Sequence, residues 1–288
     1  MIIDVHNHAD WHGHDFNASV ANMDKYGIDK TWILTREAPM DELPGENIEH
    51  YSPAYPNPGG GSLSFEGCLT YAQRAPDRFI LGYAPDPRVP GAISRLKAGI
   101  AIHSVRIYGE LKLRMMYDDL DAIRMYRFCG EKGLPVLVHI DYEFQGATNY
   151  PRPNYWYGGG IEPFERAVKK CPETIFIGHA PGFWAHISGD DLYDKEPYPG
   201  GPVMPGGKVP DMLRKYPNLY CEISGGSGCN GLSRDIEFAV DFLTEFQDRV
   251  MYGRDMFDNR HQEFINSLGL PEGILDKIYY KNAVKLVP

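Results

Sequence analysis

The chain alternates between short apolar runs and longer segments in which apolar residues recur every three or four positions. The short runs are rich in β-branched residues and predict eight strands, at residues 2–6, 30–34, 79–84, 104–108, 135–139, 174–179, 219–223 and 250–253. The longer segments predict eight helices, at residues 19–26, 64–75, 91–99, 120–132, 162–171, 211–216, 234–246 and 273–286. Strict alternation of strand and helix favours a parallel sheet with helical crossovers.

Eight strand–helix units in 288 residues predict a single domain, residues 1–288, with the (β/α)8 or TIM-barrel fold. A doubly wound open sheet is the alternative architecture. It loses its usual support because no GxGxxG motif follows the first predicted strand.

Three connections that follow predicted strands are unusually long, at residues 37–63, 141–160 and 181–210. In a barrel they gather at the C-terminal face, where active sites form. The second is rich in aromatic residues, and we expect it to pack as a lid whose Tyr142 and Trp156 contact the substrate. Plain surface loops or the interface of a homodimer are the alternatives.

Composition excludes several classes of protein. The formal net charge of −10 argues against nucleic-acid partners, because an acidic surface repels phosphates. No apolar run approaches the roughly 20 residues that span a bilayer, and the N-terminal MIIDVHNHAD does not resemble a signal peptide. Five scattered cysteines without a CxxC spacing predict reduced thiols in a cytoplasmic protein.

The first predicted strand ends in the sequence DVHNH at residues 4–8. Because side chains alternate along a strand, His6 and His8 share a face, and we expect them to point into the mouth of the barrel. Ile3 and Val5 are then expected to pack outward against helices. Two imidazoles at this spacing can converge on one divalent ion.

Three later strands also end in residues that bind metals. His139 ends strand five, His179 ends strand six and Asp255 ends strand eight. A barrel brings the carboxyl ends of its strands together, and neutral imidazoles with a carboxylate are ligands of zinc and related ions. The sequence therefore predicts a metal site at the mouth of the barrel, with a set of hydrogen-bonded core histidines as the alternative.

These motifs together resemble the amidohydrolase superfamily, in particular its amidohydrolase-2 type, which includes aminocarboxymuconate-semialdehyde decarboxylase and metal-dependent lactonases. The resemblance lies in DxHxH on strand one, VH on strand five, GHxxG on strand six and a late GxD. It extends to LGYAPDP at residues 81–87, NLYCEISGGSG at 218–228 and KNAVKL at 281–286. The chain departs from the family pattern at Arg254, where Ser or Thr is common.

The resemblance implies roles for particular residues. His6, His8 and His139 correspond to metal ligands, Asp255 to the last ligand or proton acceptor, and His179 to an acid/base next to the metal. No lysine suited to bridge two ions is evident on strand four, which carries Arg106. We therefore expect one divalent ion, zinc first, with manganese, iron or cobalt as alternatives.

Side-chain alternation also places Arg106 of strand four, and Glu222 and Ser224 of strand seven, inside the barrel. Arg106 is expected either to pair with Glu222 or to hold a substrate carboxylate. Ser224 is a candidate for a hydrogen bond to substrate, or a simple turn residue. Arg254 should point away from Asp255, toward a helix or the rim.

The predicted chemistry follows from the metal site. A bound divalent ion lowers the pKa of water and polarises a carbonyl group. We therefore expect a hydrolase that acts on a small carboxylate, lactone, ester or amide. A decarboxylase of an unsaturated or aromatic acid is the first alternative. A non-catalytic, metal-stabilised binding protein is the second, and retention of both Asp255 and His179 argues against it.

Overall fold

The computed structural model describes residues 1–39, 42, 63–143 and 156–288. Within these residues the strands are β1 (Ile3–Asn7), β2 (Lys30–Ile33), β3 (Phe79–Leu81), β4 (Tyr108–Leu111), β5 (Val136–His139), β6 (Phe176–His179), β7 (Leu219–Glu222) and β8 (Val250–Met251). They pair in parallel in the orders β1-β2-β3 and β4-β5-β6-β7-β8. Each strand leads into at least one helix.

The helices are α1 (Phe16–Tyr26), α2 (Phe65–Arg74), α3 (Ala92–His103), α4 (Leu120–Lys132), α5 (Ile161–Lys170), α6 (Pro181–Trp184), α7 (Lys208–Lys215), α8 (Gly225–Ser233), α9 (Ile236–Glu245), α10 (Arg260–Ser267), α11 (Glu272–Asp276) and α12 (Asn282–Leu286). Four of them begin at polar caps whose side chains accept a backbone N–H, namely Asp15, Ser64, Asp119 and Asp235. None of the helices in the described ranges has the length and apolar composition needed to cross a membrane.

Backbone hydrogen bonds join the two groups of strands into a closed barrel. Just after β3, the Tyr83 N–H donates to the Ile107 carbonyl oxygen at 2.9 Å. At the other junction, the Val5 N–H donates to the Tyr252 carbonyl oxygen, just after β8, at 3.0 Å. The predicted (β/α)8 fold is confirmed.

An apolar cluster fills the interior of the barrel. It contains side chains from seven of the eight strands or their immediate neighbours, namely Ile3, Val5, Trp32, Leu34, Ile107, Leu137, Ile177, Tyr220 and Met251. Ala283 and Val287, near the C-terminus, pack against the same cluster. The prediction that Ile3 and Val5 face outward is therefore wrong.

The reason is an irregular register in β1. Pairing with β2 shifts between Asp4 and Asn7, and the Asn7 Nδ2 donates to the Asp4 Oδ2 at 3.3 Å. These two side chains, three residues apart, therefore lie on the same side of the strand. The irregularity lets Val5 enter the barrel while His6 still reaches its mouth.

Strand four begins later than predicted. Ser104 ends α3 in the left-handed conformation (φ 56°), and β4 runs from Tyr108 to Leu111. Consequently Glu110, next to the last residue of β4, lies near the carboxyl end of this strand, and Tyr108 lies at its start. Pairing with β5 also shifts between Tyr108 and Leu111, so Glu110 faces the mouth of the barrel although Arg106, four residues earlier, faces outward.

The long connections differ in structure. Residues 181–210, predicted as a loop, contain α6, the start of α7 and two 3-10 turns, Ala185–Ile187 and Leu192–Asp194. The predicted helix at 273–286 is divided into α11, a π-helical turn at Lys277–Lys281, and α12. Most of the predicted loop at 37–63, and residues 144–155 of the predicted lid, lie outside the described residues.

Candidate metal centre

Four imidazoles and two carboxylates meet at the carboxyl ends of the barrel strands. They belong to His6, His8, Glu110, His139, His179 and Asp255. The side chains are at most 10% exposed, except that of Asp255, which is 21% exposed. The structure thus brings together all five residues that the sequence predicted for this site and adds Glu110.

The first group of donor atoms surrounds His6 and His8. Their Nε2 atoms lie 3.3 Å apart, and the Asp255 Oδ1 lies 3.9 Å from the first and 3.5 Å from the second. The Glu110 Oε2 lies 3.8 and 3.6 Å from the same two nitrogens. Bonds of about 2.0–2.2 Å to zinc place tetrahedral ligands roughly 3.3–3.6 Å apart, so this group suits one divalent ion.

An orphaned acceptor supports this fit. The Asp255 Oδ1 is buried and has no hydrogen-bond partner among the described residues. A buried carboxylate oxygen without a donor is costly, and a cation would satisfy it. The donor set and the unpaired oxygen therefore both fit a metal ligand at this position.

The second group of donor atoms surrounds the other oxygen of Glu110. Its Oε1 lies 2.7 Å from the His139 Nδ1 and 3.8 Å from the His179 Nε2. The Asp255 Oδ2 lies 3.9 Å from the same His179 nitrogen. The resemblance assigns His6, His8 and His139 to one ion. In the structure His139 lies against the Glu110 Oε1, whereas His6 and His8 lie near the Glu110 Oε2.

Acceptors behind the imidazoles determine which ring nitrogens face this cavity. The Glu222 Oε1 accepts from the Nδ1 of His6 at 2.9 Å and from the Nδ1 of His179 at 2.6 Å. The His8 Nδ1 donates to the Leu34 carbonyl oxygen at 2.8 Å. With the ring proton on Nδ1, the Nε2 lone pair of each of these imidazoles is left for a metal ion.

Opposing charges perturb the pKa values in the centre. Burial alone would lower the pKa of His6, but the carboxylates of Asp255, Glu110 and Glu222 hold it well above its ordinary value. Burial would raise the pKa of Asp255, yet the neighbouring imidazoles of His6 and His8 lower it to about 2. The carboxylates are therefore ionised near neutral pH, and the cavity attracts positive charge.

His139 behaves differently from His6. Burial, followed by the positive charge of Lys112, lowers its pKa. The imidazole is therefore neutral near pH 7, which is the form that binds metals. Its Nε2 lies 3.4 Å from the Asp141 Oδ2, so carboxylate oxygens face both of its ring nitrogens.

A buried ion pair positions Asp255. The Arg254 Nε donates to the Asp4 Oδ2, and its Nη1 donates to the Asn22 Oδ1 on α1, both at 2.8 Å. The side chain thus points away from Asp255 toward a helix, as predicted. The Asp255 N–H donates to the His6 carbonyl oxygen at 2.8 Å, which ties the end of β8 to β1.

Arg106 does not contribute to the site. Its exposed side chain donates to the Pro288 carbonyl oxygen at 2.9 Å, near the amino ends of the strands. Ile107 takes the interior position instead, so alternation turns Arg106 outward. Both predictions for this residue, a pair with Glu222 and a contact to a substrate carboxylate, are wrong.

The hydroxyl groups of Ser224 and Tyr142 both contact other groups of the protein. Ser224 is fully buried, and its hydroxyl donates to the Glu222 Oε1 at 2.9 Å, so it supports the imidazoles from behind instead of facing a substrate. The Tyr142 hydroxyl lies 2.6 Å from the His186 Nε2 and accepts the Ile161 N–H at 3.1 Å. Substrate contact by the Tyr142 hydroxyl is therefore not supported. Trp156 is half-buried, and its contact with substrate stays a prediction.

Sequence reasoning missed a group of side chains beside His139. The buried ring of Tyr157 meets the His139 ring edge to face, with centroids 5.6 Å apart. The Lys112 Nζ lies 4.9 Å and the Arg36 guanidinium 5.9 Å from the centroid of the same tyrosine ring. Regular alternation from the interior Ile107 would turn Glu110 outward, and the register shift between Tyr108 and Leu111 that turns it inward leaves no signal in the sequence. Nothing in the sequence indicated the convergence of the two cations either.

Both the sequence and the fold of this chain resemble those of known proteins. The family described as amidohydrolase matches residues 3–288, whereas no curated protein matches the sequence. An uncharacterized TIM-barrel protein from Bordetella bronchiseptica aligns with a TM-score of 0.64 at 15% identity, over 99% of this chain and 97% of that one.

Two further structures have descriptive names. A dihydroxybenzoic acid decarboxylase from Polaromonas with bound manganese and 2-nitroresorcinol aligns with a TM-score of 0.58 at 15% identity, over 99% and 96% of the two chains. A probable 2-pyrone-4,6-dicarboxylic acid hydrolase from Acinetobacter baumannii with bound citric acid aligns with a TM-score of 0.59 at 11% identity, over 99% and 98%. These similarities show a shared fold, and the match over residues 3–288 shows that the chain belongs to the amidohydrolase family.

Proposed function

We propose that the protein is a metal-dependent hydrolase of a small, carboxylate-bearing lactone, ester or amide. The observation that carries the proposal is the position of Asp255. One of its oxygens lies within 3.9 Å of the Nε2 atoms of both His6 and His8 and has no hydrogen-bond partner among the described residues, and the other faces His179. One carboxylate can therefore serve both as a metal ligand and as a proton acceptor.

The residues fit the divalent ion that this chemistry requires. His6, His8, Glu110 and Asp255 would hold it through the first group of donor atoms. When bound, such an ion supplies an acidified water and polarises a carbonyl group. The Asp255 Oδ2, which points toward His179, would accept the proton that the attacking water loses.

Cationic side chains define where the rest of the substrate would lie. Lys112 is 9% and Arg36 is 2% exposed, and both approach the ring of Tyr157, which contacts His139. In a site of low dielectric constant, this pair of charges would favour a substrate with a carboxylate beside the reacting carbonyl. We expect the carboxylate to bind there while the carbonyl faces His6 and His8.

A decarboxylase is the second candidate. It is favoured by the fold shared with the manganese-containing dihydroxybenzoic acid decarboxylase, just as the fold shared with the pyrone dicarboxylic acid hydrolase favours hydrolysis. In that reaction the same cationic groups would orient an aromatic acid, and an acidic side chain would protonate carbon as CO2 leaves.

The test compares the two reactions on one preparation. Protein reconstituted with Zn²⁺ or Mn²⁺ is offered carboxylated lactones and esters, with ring opening followed by absorbance and proton release. It is also offered hydroxybenzoic acids, with CO2 release measured. Turnover in the first panel, abolished by Asp255→Asn, is the expected result. CO2 release alone would establish the decarboxylase, and turnover in neither panel, with substrate-like acids still bound, would favour the non-catalytic binding protein.

A further inference from the structure

We propose that the first turn of α8, with the hydroxyl group of Ser227, binds the leaving-group oxygen of a lactone or ester substrate. The proposal rests on the proposed function, because a leaving group exists only if such a bond is cleaved. Its basis is a small space beside Asp255, which a buried hydroxyl group faces without a hydrogen-bond partner among the described residues.

Gly225 leaves this space open next to the metal centre. A Cβ atom at Gly225 would lie 3.6 Å from the His179 Cε1, 3.7 Å from the Asp255 Oδ2 and 3.9 Å from the Ser227 Oγ. These are ordinary contact distances, so a methyl group would fill the space without a clash. The φ angle of Gly225 is 66°, which favours glycine, and without a side chain the space is open to an atom of a ligand.

Ser227 presents a polar side chain to this space. The residue is 4% exposed, and in the described part of the chain its hydroxyl group has no hydrogen-bond partner. A buried hydroxyl group without a partner is costly, so a ligand oxygen in the space would satisfy it. Ser227 differs in this respect from Ser224, whose hydroxyl group donates to the Glu222 Oε1.

The backbone at the start of α8 adds further donors. The Gly225 N–H donates to the Arg254 carbonyl oxygen at 2.9 Å, so the helix begins at the end of β8, beside Asp255. The side chain of Ser224 precedes the helix but does not cap it. The N–H groups of Gly226 and Ser227 therefore have no acceptor among the residues that the structure describes, and they lie at the positive end of the helix dipole.

The first turn of α8 is accessible from the solvent. Gly226 is exposed, and Gly225 is half-buried. The ring of Tyr198, which is 40% exposed, lies over this turn, with its Cε1 3.3 Å from the position of a Cβ atom at Gly226. The carbon part of a leaving group would therefore extend outward past Tyr198 while its oxygen stays beside Ser227.

The charge of Asp255 indicates which substrate oxygen binds here. A permanent carboxylate in this space would lie against the carboxylate of Asp255, whereas Lys112 and Arg36 offer positive charge beside His139. A leaving-group oxygen is neutral in the substrate and becomes negative only as its bond to carbon breaks. Donors placed where charge develops during a reaction lower its barrier.

The reaction step is balanced with groups that the site already contains. The oxygen of the attacking water forms a bond to the carbonyl carbon, and one proton of this water passes to the Asp255 Oδ2. The bond between the carbonyl carbon and the leaving oxygen breaks, and its electron pair stays on that oxygen. The proton then moves from Asp255 to the leaving oxygen, which Ser227 holds by a hydrogen bond. The products are an acid and an alcohol.

The first readout is the dependence of catalysis on the leaving group. Zn²⁺-reconstituted full-length protein, Ser227→Ala and Ser233→Ala are compared on the ethyl and 4-nitrophenyl monoesters of succinic acid. Ser233, exposed at the end of α8, is the matched control and should change neither rate. We expect Ser227→Ala to lower kcat/KM about 100-fold for the ethyl ester and only a few-fold for the nitrophenyl ester, whose leaving oxygen needs little stabilisation. Thermal unfolding verifies that both variants are folded.

The second readout is binding, which requires no turnover. 2-Hydroxyglutarate is the product of opening a carboxylated γ-lactone, and glutarate lacks its hydroxyl group. Both acids are titrated calorimetrically into the same three proteins. We expect the unaltered protein and Ser233→Ala to prefer the hydroxy acid, and Ser227→Ala to reduce this preference about 10-fold, which corresponds to the loss of one hydrogen bond.

The outcomes separate this proposal from the proposed function. Equal losses of kcat/KM on both esters, or no loss on either, overturn the leaving-group site and leave the hydrolase intact. If the unaltered protein cleaves neither the esters nor the lactone, the proposed reaction is refuted. A preference for 2-hydroxyglutarate that Ser227→Ala loses then still supports an oxygen site at α8, and an unchanged preference overturns that site as well.

Discussion

Replacing Glu222 with glutamine tests whether this carboxylate holds the imidazoles in their metal-binding form. The side chain is fully buried and accepts four hydrogen bonds, two from Nδ1 atoms of imidazoles and two from Ser224. Glutamine has the same shape but offers one oxygen and one NH2 group. If its oxygen faces the imidazoles, its NH2 meets the Ser224 N–H, which lies 2.6 Å from the present Oε2.

The opposite orientation of the amide is worse for metal binding. An NH2 group facing the Nδ1 atoms of His6 and His179 forces these nitrogens to accept, which moves their protons to Nε2 and removes the lone pairs from the cavity. Either orientation leaves a donor without an acceptor, at a cost of about 1–3 kcal/mol. Loss of such a supporting group typically weakens metal binding about 10–100-fold.

We therefore expect Glu222→Gln to bind Zn²⁺ about 10–100-fold more weakly than the unaltered protein, and to unfold a few degrees lower. Affinity is measured by competition with a chromophoric chelator, and unfolding by thermal denaturation of the chelator-treated protein. Glu131→Gln, at an exposed position on α4, is the matched control and should change neither quantity. An unchanged zinc affinity in folded Glu222→Gln would refute the role assigned to this carboxylate.

Three further perturbations test separate parts of the structure. Arg254→Met leaves the fully buried Asp4 carboxylate without its cation and should lower the free energy of unfolding by about 3–5 kcal/mol in chemical denaturation; an unchanged midpoint would contradict the buried pair. Burial, with a smaller contribution from Lys208, lowers the pKa of His186 to about 4, below the ordinary 6.5 of the unfolded chain. The contribution of the neutral imidazole to the free energy of unfolding is therefore complete above pH 6.5 and is lost as the pH falls through 4. At roughly 1.4 kcal/mol for each pH unit between those values this amounts to about 3 kcal/mol, and unfolding measured from pH 7 to 4 should depend less on pH in His186→Gln. Lys112→Met should raise KM for a carboxylated substrate more than for its neutral amide, and equal changes for both would place the substrate carboxylate elsewhere.

The fold could be predicted because its evidence is local. Strands and helices alternate along the whole chain, and each strand end lies where the barrel requires it. The residues at the predicted strand ends also identified five of the six donor residues, because the ends of four strands carry histidine or aspartate. The expected cytoplasmic location, homodimer and zinc identity stay predictions.

Errors arose where a strand departs from regular alternation. In β1 the shifted register puts Val5 inside the barrel, although regular alternation from His6 had placed it outside. In β4 the strand starts later, which leaves Arg106 on the outer surface, and its register with β5 shifts between Tyr108 and Leu111, which brings Glu110 to the mouth. A sequence pattern fixes the period of a strand, but its phase depends on pairing with neighbouring strands, which hydrophobicity does not reveal.

The missed Glu110 changes how the centre is understood. A site built from the histidines and Asp255 alone would hold four imidazoles and a single carboxylate. With Glu110 between them, the imidazoles fall into two groups that face opposite oxygens of one carboxylate. Glu222, Leu34 and Asp141 accept from or face one ring nitrogen of each imidazole. The other ring nitrogens and the carboxylate oxygens of Glu110 and Asp255 therefore lie against one another in the buried centre. That arrangement is electrostatically unfavourable by itself, so the free energy of metal binding must also stabilise the folded barrel.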